Sequence, residues 1–397
     1  MDNIALNGVV VLDLSRVVSG PYATMLMADM GARVIKVEMP GVGDDTRKFG
    51  PLIQGESPYF IMLNRNKESI TLNMKSPRGK EILWELVKKA DIIVENFRPG
   101  VLERLGFGYA ELKRVNPWVV LGSISGFGQT GPYASRAGYD ILGQAMSGIM
   151  SVTGWPGGKP TRVNTALCDI LSGMSLAVGV LAAYSRAVKS GIGQHVDIAL
   201  VDSGVTALST INHIYLSTGV VPGLTGNRDG VLAPFASYAC KGGDIIIACG
   251  NDKLFGELCQ LIDRPELAED ERFVSNEARM AHNDQLQEVL EEWLADQTPE
   301  EAVDRLLAAG IPAGPINTID KVVADPHIAG AREMFPHIHH PVLGEMRITG
   351  SHLKLSDTPT GVRKVAPALG EDNSRVYCDL LGMDGADLEA LRAGGVI

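Results

Sequence analysis

Cysteine is scarce in this chain and poorly spaced for structural use. Five occur, at positions 168, 240, 249, 259 and 378, with no Cys-x-x-Cys among them. An odd, scattered set supplies neither a disulfide framework nor a zinc site, and it points to a reducing, cytoplasmic compartment. Positive charge is also short: 36 Lys and Arg stand against 47 Asp and Glu, a formal net charge of −11. General binding to nucleic acid or to an anionic membrane needs a spread-out basic surface, so neither is expected as a partner. An anionic small ligand is not excluded, because a few Arg and Lys in one cleft act against the global sign. Long apolar runs are missing too. The most hydrophobic stretch, Met174 to Tyr184, falls short of the ~18 residues of a membrane span, and no signal peptide is expected from the N-terminal residues. No Gly-x-Ser-x-Gly elbow occurs, which leaves a serine hydrolase without support.

At 397 residues, 45% hydrophobic and 21% charged, the chain is long enough for two globular domains. Gly8-Val-Val-Val-Leu-Asp13 reads as a buried strand. The loop Ser15 to Pro21 opens a helix over Tyr22 to Met30 that Gly31 closes, and Ala32 to Glu38 is a second strand. This β-α-β order implies α/β architecture with a parallel sheet. The pattern recurs with a helix over Pro77 to Ala90 and a strand over Asp91 to Glu95. Helices over Gly100 to Leu105 and Tyr109 to Arg114 and a strand over Trp118 to Ser123 follow. A long helix over Asp169 to Val188, a strand over His195 to Leu200 and one helix over Asp202 to Leu216 lead to a Gly/Pro-rich stretch at 218–230, a domain boundary. Beyond it a strand (Asp244 to Cys249) and three amphipathic helices (Asp252 to Ile262, Asn283 to Leu294, Thr298 to Ala309) suggest a smaller α+β domain. From about 325 the chain returns to strands and a short terminal helix.

Two motifs invite chemistry and are set aside. Gly126-Phe-Gly128-Gln-Thr-Gly131 matches a dinucleotide fingerprint, but Pro132 follows at once and no helical spacing comes after it. His337, His339 and His340 lie beside prolines without a carboxylate-histidine helix motif, so no metal is expected. Asp169 carries more. It ends a short apolar run and opens a helix rich in small residues (Ser172, Gly173, Ser175, Ala177, Gly179). Position alone makes it an N-cap, its side chain accepting a backbone N–H. A competing reading is an ionised nucleophile, stabilised by free helix N–H groups, with room left for a ligand by its small neighbours.

A series of segments shifts that balance. Asp13-Leu-Ser-Arg-Val-Val-Ser-Gly-Pro21, Val34-Ile-Lys-Val-Glu38, Gly43-Asp-Asp-Thr-Arg47, Leu63-Asn-Arg-Asn-Lys67, Ser69-Ile-Thr-Leu72, Val94-Glu-Asn-Phe-Arg-Pro-Gly100 and Gly310-Ile-Pro-Ala-Gly-Pro-Ile-Asn317 occur in order around the Asp169 segment. Together they resemble the family III CoA transferases, the CaiB/BaiF group that includes formyl-CoA transferase, over essentially the whole chain. The resemblance implies a Rossmann-like large domain (1–217 and 326–397, completed by the C-terminal tail) and a smaller domain (218–325). It also implies an interlocked homodimer with each active site between a large domain and the partner's small domain. Acyl-CoA and small carboxylic acids would be the substrates, with no tightly bound cofactor. Asp169 matches the nucleophile. Asn96, Phe97, Arg98 and Arg104 match a CoA-contacting segment, as do Arg16, Leu72 and Lys75, and Tyr139 matches a position lining the cleft.

Residue chemistry is compatible with that implication. Guanidinium groups grip phosphates as rigid forks, which suits Arg98 and Arg104 to the phosphates of CoA; Lys67 and Lys75 would add point charges, and Phe97 would pack on adenine. Departures exist. Val18 stands where formyl-CoA transferase has a catalytic-loop glutamine, and Leu224 to Gly230 lacks that enzyme's glycine run, which weighs against oxalate or formate as substrate. Oxyanion donors are expected from the loop before the Asp169 helix and from segments such as Gly226. Succinyl-CoA is an expected donor, with Arg16 or Arg47 available to a second carboxylate. Two rivals stand beside transfer. An α-methylacyl-CoA racemase of the same family would use a histidine where this chain has Tyr139, and a tyrosine phenol, which ordinarily titrates at ~10, is a poor base. A non-catalytic acyl-CoA-binding protein would need no carboxylate at the acyl end.

Overall fold

Six short strands form the main sheet: β1 (Val10–Asp13), β2 (Arg33–Glu38), β3 (Lys67–Thr71), β4 (Ile92–Glu95), β5 (Val120–Ser125) and β6 (His195–Ala199). They pair in the order β3-β2-β1-β4-β5-β6, parallel throughout. Alternate residues bury on opposite faces. Leu12, Ile35, Ile70, Ile93 and Leu121 meet the helix Pro77–Val87 and the C-terminal tail on one side. Val11, Val34, Ile92, Val94 and Val120 meet the helices Ser19–Asp29 and Leu167–Ser190 on the other. Burial on both faces explains why β1, β4 and β5 read as largely apolar runs. The computed structural model describes residues 4–397.

The chain divides into two units. One takes the residues up to Met150, Arg162–Val220 and Pro326–Ile397; the other takes Ser151–Thr161 and Val221–Asp325. The short segment 151–161 therefore groups with the second unit, not with the large domain as the sequence suggested. That second unit holds an antiparallel sheet of β7 (Phe235–Cys240), β8 (Gly243–Ala248) and β9 (Ala313–Pro315). Helices Asp252–Leu261, Asn283–Leu294 and Pro299–Ala308 bury Phe255, Leu258, Leu286, Leu290 and Leu306 against it. In the first unit the tail forms the hairpin β10 (His337–His340) and β11 (Gly344–Arg347) and the helix Gly385–Ala393.

Several elements differ from the sequence reading. The first helix starts at Ser19, with Pro21 in its first turn where no intrahelical N–H is needed. The single helix expected over Asp202 to Leu216 is two, Leu200–Ala207 and Ser209–Thr218, broken at Leu208. The long helix runs Leu167–Ser190. By length and composition it passes as a membrane span, which the sequence reading had not expected. Its buried face, Leu176, Val180, Ala183 and Ala187, is spent on packing within the first unit.

Candidate active site

Parallel open sheets bind ligands beyond the carboxyl ends of their strands, at the point where strand order reverses. Here the chain runs from β1 outward to β3 and returns to β4 on β1's other side. The reversal therefore lies between Asp13 and Glu95, and the loops that follow them are 14–18 and 96–100. Asn96 ties these loops together. Its Oδ1 accepts the Arg16 N–H at 2.9 Å, and its Nδ2 donates to the Arg16 carbonyl at 2.6 Å and to Ser19 Oγ at 3.3 Å. Ser19 opens the first helix, which packs against the long helix at a position only glycine fits. A Cβ on Gly173 would stand 2.7 Å from the Ser19 carbonyl and 3.1 Å from the Tyr22 ring. That close approach brings the first turn of the long helix, and Asp169 with it, to the mouth of the β1–β4 crevice.

Asp169 is not the N-cap. That position is Ala166, which makes no side-chain cap, and Asp169 is the third residue of the helix. The cap comes from Asp140, the first residue of the helix Asp140–Met146. Its Oδ1 accepts the N–H groups of Cys168 at 2.7 Å and Asp169 at 3.3 Å, and its Oδ2 accepts Gln144 Nε2 at 2.7 Å. Gln144, fully buried, also donates to the Thr165 carbonyl and accepts the Val163 N–H. So the N–H groups expected to stabilise Asp169 are taken by a second carboxylate. Burial, then the Asp140 charge, push the Asp169 carboxyl up to about 7, against a hydrogen bond from Ser19 that lowers it. No salt bridge joins Asp169 to a cation among the described residues. Tyr59, on the helix Pro58–Asn64, faces both carboxylates; burial and their charges raise its phenol.

Asn96, Ser19, Asp169, Asp140 and Tyr139 thus form one neighbourhood. Tyr139 is 69% exposed beside Asp140 at the start of that helix. Arg98, Arg104 and Lys75 are exposed; Arg104 lies over Gly100, and Arg16 meets Asp45 at 3.5 Å. Phe97 is half-buried against the core, and its N–H donates to Glu95 at 2.7 Å. Burial, with Glu103 and Asp197 nearby, pushes the Glu95 carboxyl up to about 7, although hydrogen bonds from Ser123 and Phe97 oppose it.

Other expectations need correction. Leu72 is 1% exposed in the core, so its side chain has no route to a ligand; only its backbone is left for contact. Val18 is also buried. Lys67 is fully buried, held by Asp13 at 3.0 Å, the Pro21 carbonyl and Asn64, and offers no charge to a phosphate. Arg47 forms a fork on Glu38, 2.7 Å on each arm, and lies over Phe60, so it is not available to a substrate carboxylate. Within the second unit the Gly226 N–H already donates to the Gly154 carbonyl at 2.8 Å. Residues the sequence did not disclose are Asp140, Ser19 and Tyr59. Only Asp140 left a signal, an acidic residue at a helix start.

The family profile of CoA-transferase family III matches residues 6–373. The chain is 42% identical to acetyl-CoA:oxalate CoA-transferase of Acetobacter aceti, over 93% of this chain and 94% of that one. It is 38% identical to succinyl-CoA–D-citramalate CoA-transferase of Chloroflexus aurantiacus, over 99% and 98% of the two chains. A crystal structure of a CaiB/BaiF family protein from Brucella suis superposes with a TM-score of 0.84 at 38% identity, covering 96% of this chain and all of that one. With the α/β sheet, the match across the whole chain and the named relatives in agreement, the chain belongs to CoA-transferase family III and is a CoA-transferase.

Proposed function

We propose that this enzyme moves CoA from an acyl-CoA donor such as succinyl-CoA to a small dicarboxylic acid, using Asp169 as the acyl carrier. One observation carries the reading. Asp169 is a half-buried carboxylate with no cation partner among the described residues, seated where the sheet's strand order reverses and raised to about 7. A carboxylate so placed is more basic than a solvated one and is not neutralised by an ion pair, which suits attack on a thioester. Dicarboxylate acceptors are favoured because the relatives named above act on oxalate and citramalate.

The steps follow from the bonds exchanged. The Asp169 carboxylate attacks the thioester carbonyl; the C–S bond breaks, giving an aspartyl–acyl anhydride and CoA thiolate. The thiolate attacks the aspartyl carbonyl; the anhydride C–O bond breaks, the donor acid leaves as carboxylate, and an aspartyl-CoA thioester remains. The acceptor carboxylate attacks that thioester and releases the thiolate. The thiolate then attacks the acceptor's carbonyl, forming the new acyl-CoA and restoring the Asp169 carboxylate. No net proton is consumed. Arg98, Arg104 and Lys75 hold the CoA phosphates in this scheme, and N–H donors near the aspartyl carbonyl oxygen stabilise each anionic intermediate. A homodimer in the cytoplasm is part of the same proposal. The dimer is supported by the helix Ser209–Thr218, none of whose residues is buried and whose Leu216 is 76% exposed.

Acyl-CoA treatment followed by hydroxylamine or borohydride should trap an adduct on Asp169, and Asp169→Ala should abolish both adduct and exchange while CoA still binds. Exchange by that variant at the wild-type rate ends the proposal. Incubation in deuterated water without acceptor should leave Cα unlabelled; deuterium there would identify a racemase. A panel of CoA donors against mono- and dicarboxylic acids identifies the acid pair.

A further inference from the structure

The segment Gly43-Asp-Asp-Thr-Arg47 is left without a role by the chemistry above, yet its Asp44 bonds the loop 14–18 that leads into Ser19. Val17 in that loop has φ of 67°. This is the left-handed region, which a β-branched side chain resists, so the surroundings must hold it there. The backbone from Ser15 to the Val17 N–H is gripped from outside the loop. The Ser15 N–H and hydroxyl donate to Asp13. The Ser15 carbonyl accepts Lys36 Nζ at 2.9 Å. Arg16 is held at both its N–H and its carbonyl by Asn96. The Val17 N–H lies 3.3 Å from both carboxylate oxygens of Asp44.

Asp44 is itself fixed. Its Oδ2 meets Lys36 Nζ at 2.8 Å, and both side chains are buried. Its Oδ1 accepts the N–H of Thr46 at 2.9 Å and the Thr46 hydroxyl at 2.8 Å. Its own N–H donates to Glu38, which Arg47 forks. A buried, fully satisfied ion pair is a costly way to gain stability, since apolar residues of like volume do as well. Its value lies in defining one geometry.

We infer that Asp44, held by Lys36 and Thr46, is a positioning residue for the transfer reaction: it locks Val17 in its strained conformation and so sets where Ser19 meets Asp169. This rests on Asp169 being the acyl carrier. Asp44 is 3% exposed and acts through the loop backbone, at the Val17 N–H. The turn at 96–104 has a hold of its own, the Phe97 N–H on Glu95 at 2.7 Å, besides the bonds through which Asn96 joins it to Arg16. Loss of the clamp therefore affects formation of the Asp169 adduct more than CoA affinity.

The test is Asp44→Asn, which keeps an acceptor for the Val17 N–H but loses the charge that fixes it. Single-turnover adduct formation on Asp169 should slow about tenfold while KM for acyl-CoA stays within about twofold, the pattern of a small misplacement of reacting groups. Introduced together with Val17→Gly, a residue that adopts positive φ readily, the same change should cost less than about threefold. A D44N enzyme with wild-type adduct formation overturns the inference, as does a loss of equal size in the V17G background. Thr46→Val, which removes one orienting donor and no charge, reads the same quantity should D44N not fold: a loss of about threefold in adduct formation is expected, and an unchanged rate counts against the clamp. Wild-type enzyme that forms no Asp169 adduct at all refutes the carrier role; adduct formation in wild type that D44N matches refutes only the clamp.

Discussion

Two carboxylates decide the chemistry at the residue scale, and environment separates them. Asp140 is hydrogen-bonded by two helix N–H groups and by Gln144. Asp169, past the N-cap position and inside the first turn, receives the burial and the like charge, and its carboxyl rises to about 7. Adduct formation by the wild-type enzyme should accordingly grow as pH passes through about 7, since only the carboxylate is nucleophilic. Asp140→Asn removes the like charge and should move that rise toward acid by on the order of one pH unit, followed by quenched-flow adduct measurements. It should also cost about 1 kcal/mol, because the new amide N–H₂ faces the Gln144 N–H₂, whose own oxygen is engaged by Val163. Linkage gives a second expectation. A carboxyl raised in the folded state contributes stability that is complete below about pH 4 and is lost as pH rises through about 7. Asp169→Asn should thus leave thermal stability unchanged at about pH 4 and raise it at about pH 8. The gain should be on the order of 2 kcal/mol, allowing for solvent near a half-buried group. Scanning calorimetry at the two pH values checks it, and an equal effect at both would contradict the assignment.

At the scale of elements, legibility followed apolar content. β1, β2, β4 and the long helix announce themselves by buried runs, and the ordered motifs placed Asp169 in the right helix. β3, Lys67-Glu68-Ser69-Ile70-Thr71, did not read as a strand because its interior residues are charged and polar. They are buried only because partners distant in sequence pair with them: Lys67 with Asp13, Glu68 with Arg33. The same blindness made Lys67 and Arg47 look like ligands, since a side chain's commitment to Asp13 or Glu38 cannot be seen without the fold. The cap on the Asp169 helix was missed for a like reason; it is supplied 29 residues upstream. β3 is also the sheet's edge, and the tail protects it with side chains in place of a strand. Asp372 Oδ2 accepts the Ser69 N–H, and Asn373 Oδ1 accepts the Thr71 N–H, both at 2.9 Å. Asn373 Nδ2 adds a bond to Thr71 Oγ1 at 2.8 Å. Asn373→Ala strands a buried donor on the edge strand and should destabilise the enzyme by about 1–3 kcal/mol. Urea unfolding should show it as a lowered midpoint with an unchanged slope.

For the whole molecule the open question is what covers its apolar exterior. The long helix is apolar enough to cross a membrane, yet only 39% of its most hydrophobic window is buried within the chain, and Val178 and Val188 are 71% and 58% exposed. The helix Ser209–Thr218 buries nothing and leaves Tyr215 and Leu216 outward. Apolar area in water costs roughly 25 cal/mol per Å², and monomeric proteins rarely leave large contiguous patches uncovered. A net charge of −11 disfavours an anionic bilayer as the cover, whereas a second copy presents the same apolar surfaces and closes symmetrically. Sedimentation equilibrium at micromolar concentration without detergent should therefore return twice the chain mass. Leu216→Glu, which puts a charge at a position 76% exposed within the chain, should shift the population toward monomer with its far-UV circular dichroism intact. If each active site needs the partner chain, CoA exchange should fall in proportion to the dimer lost and recover as protein concentration rises. A wild-type enzyme that sediments as a monomer and exchanges CoA at full rate would show that these helices serve another contact.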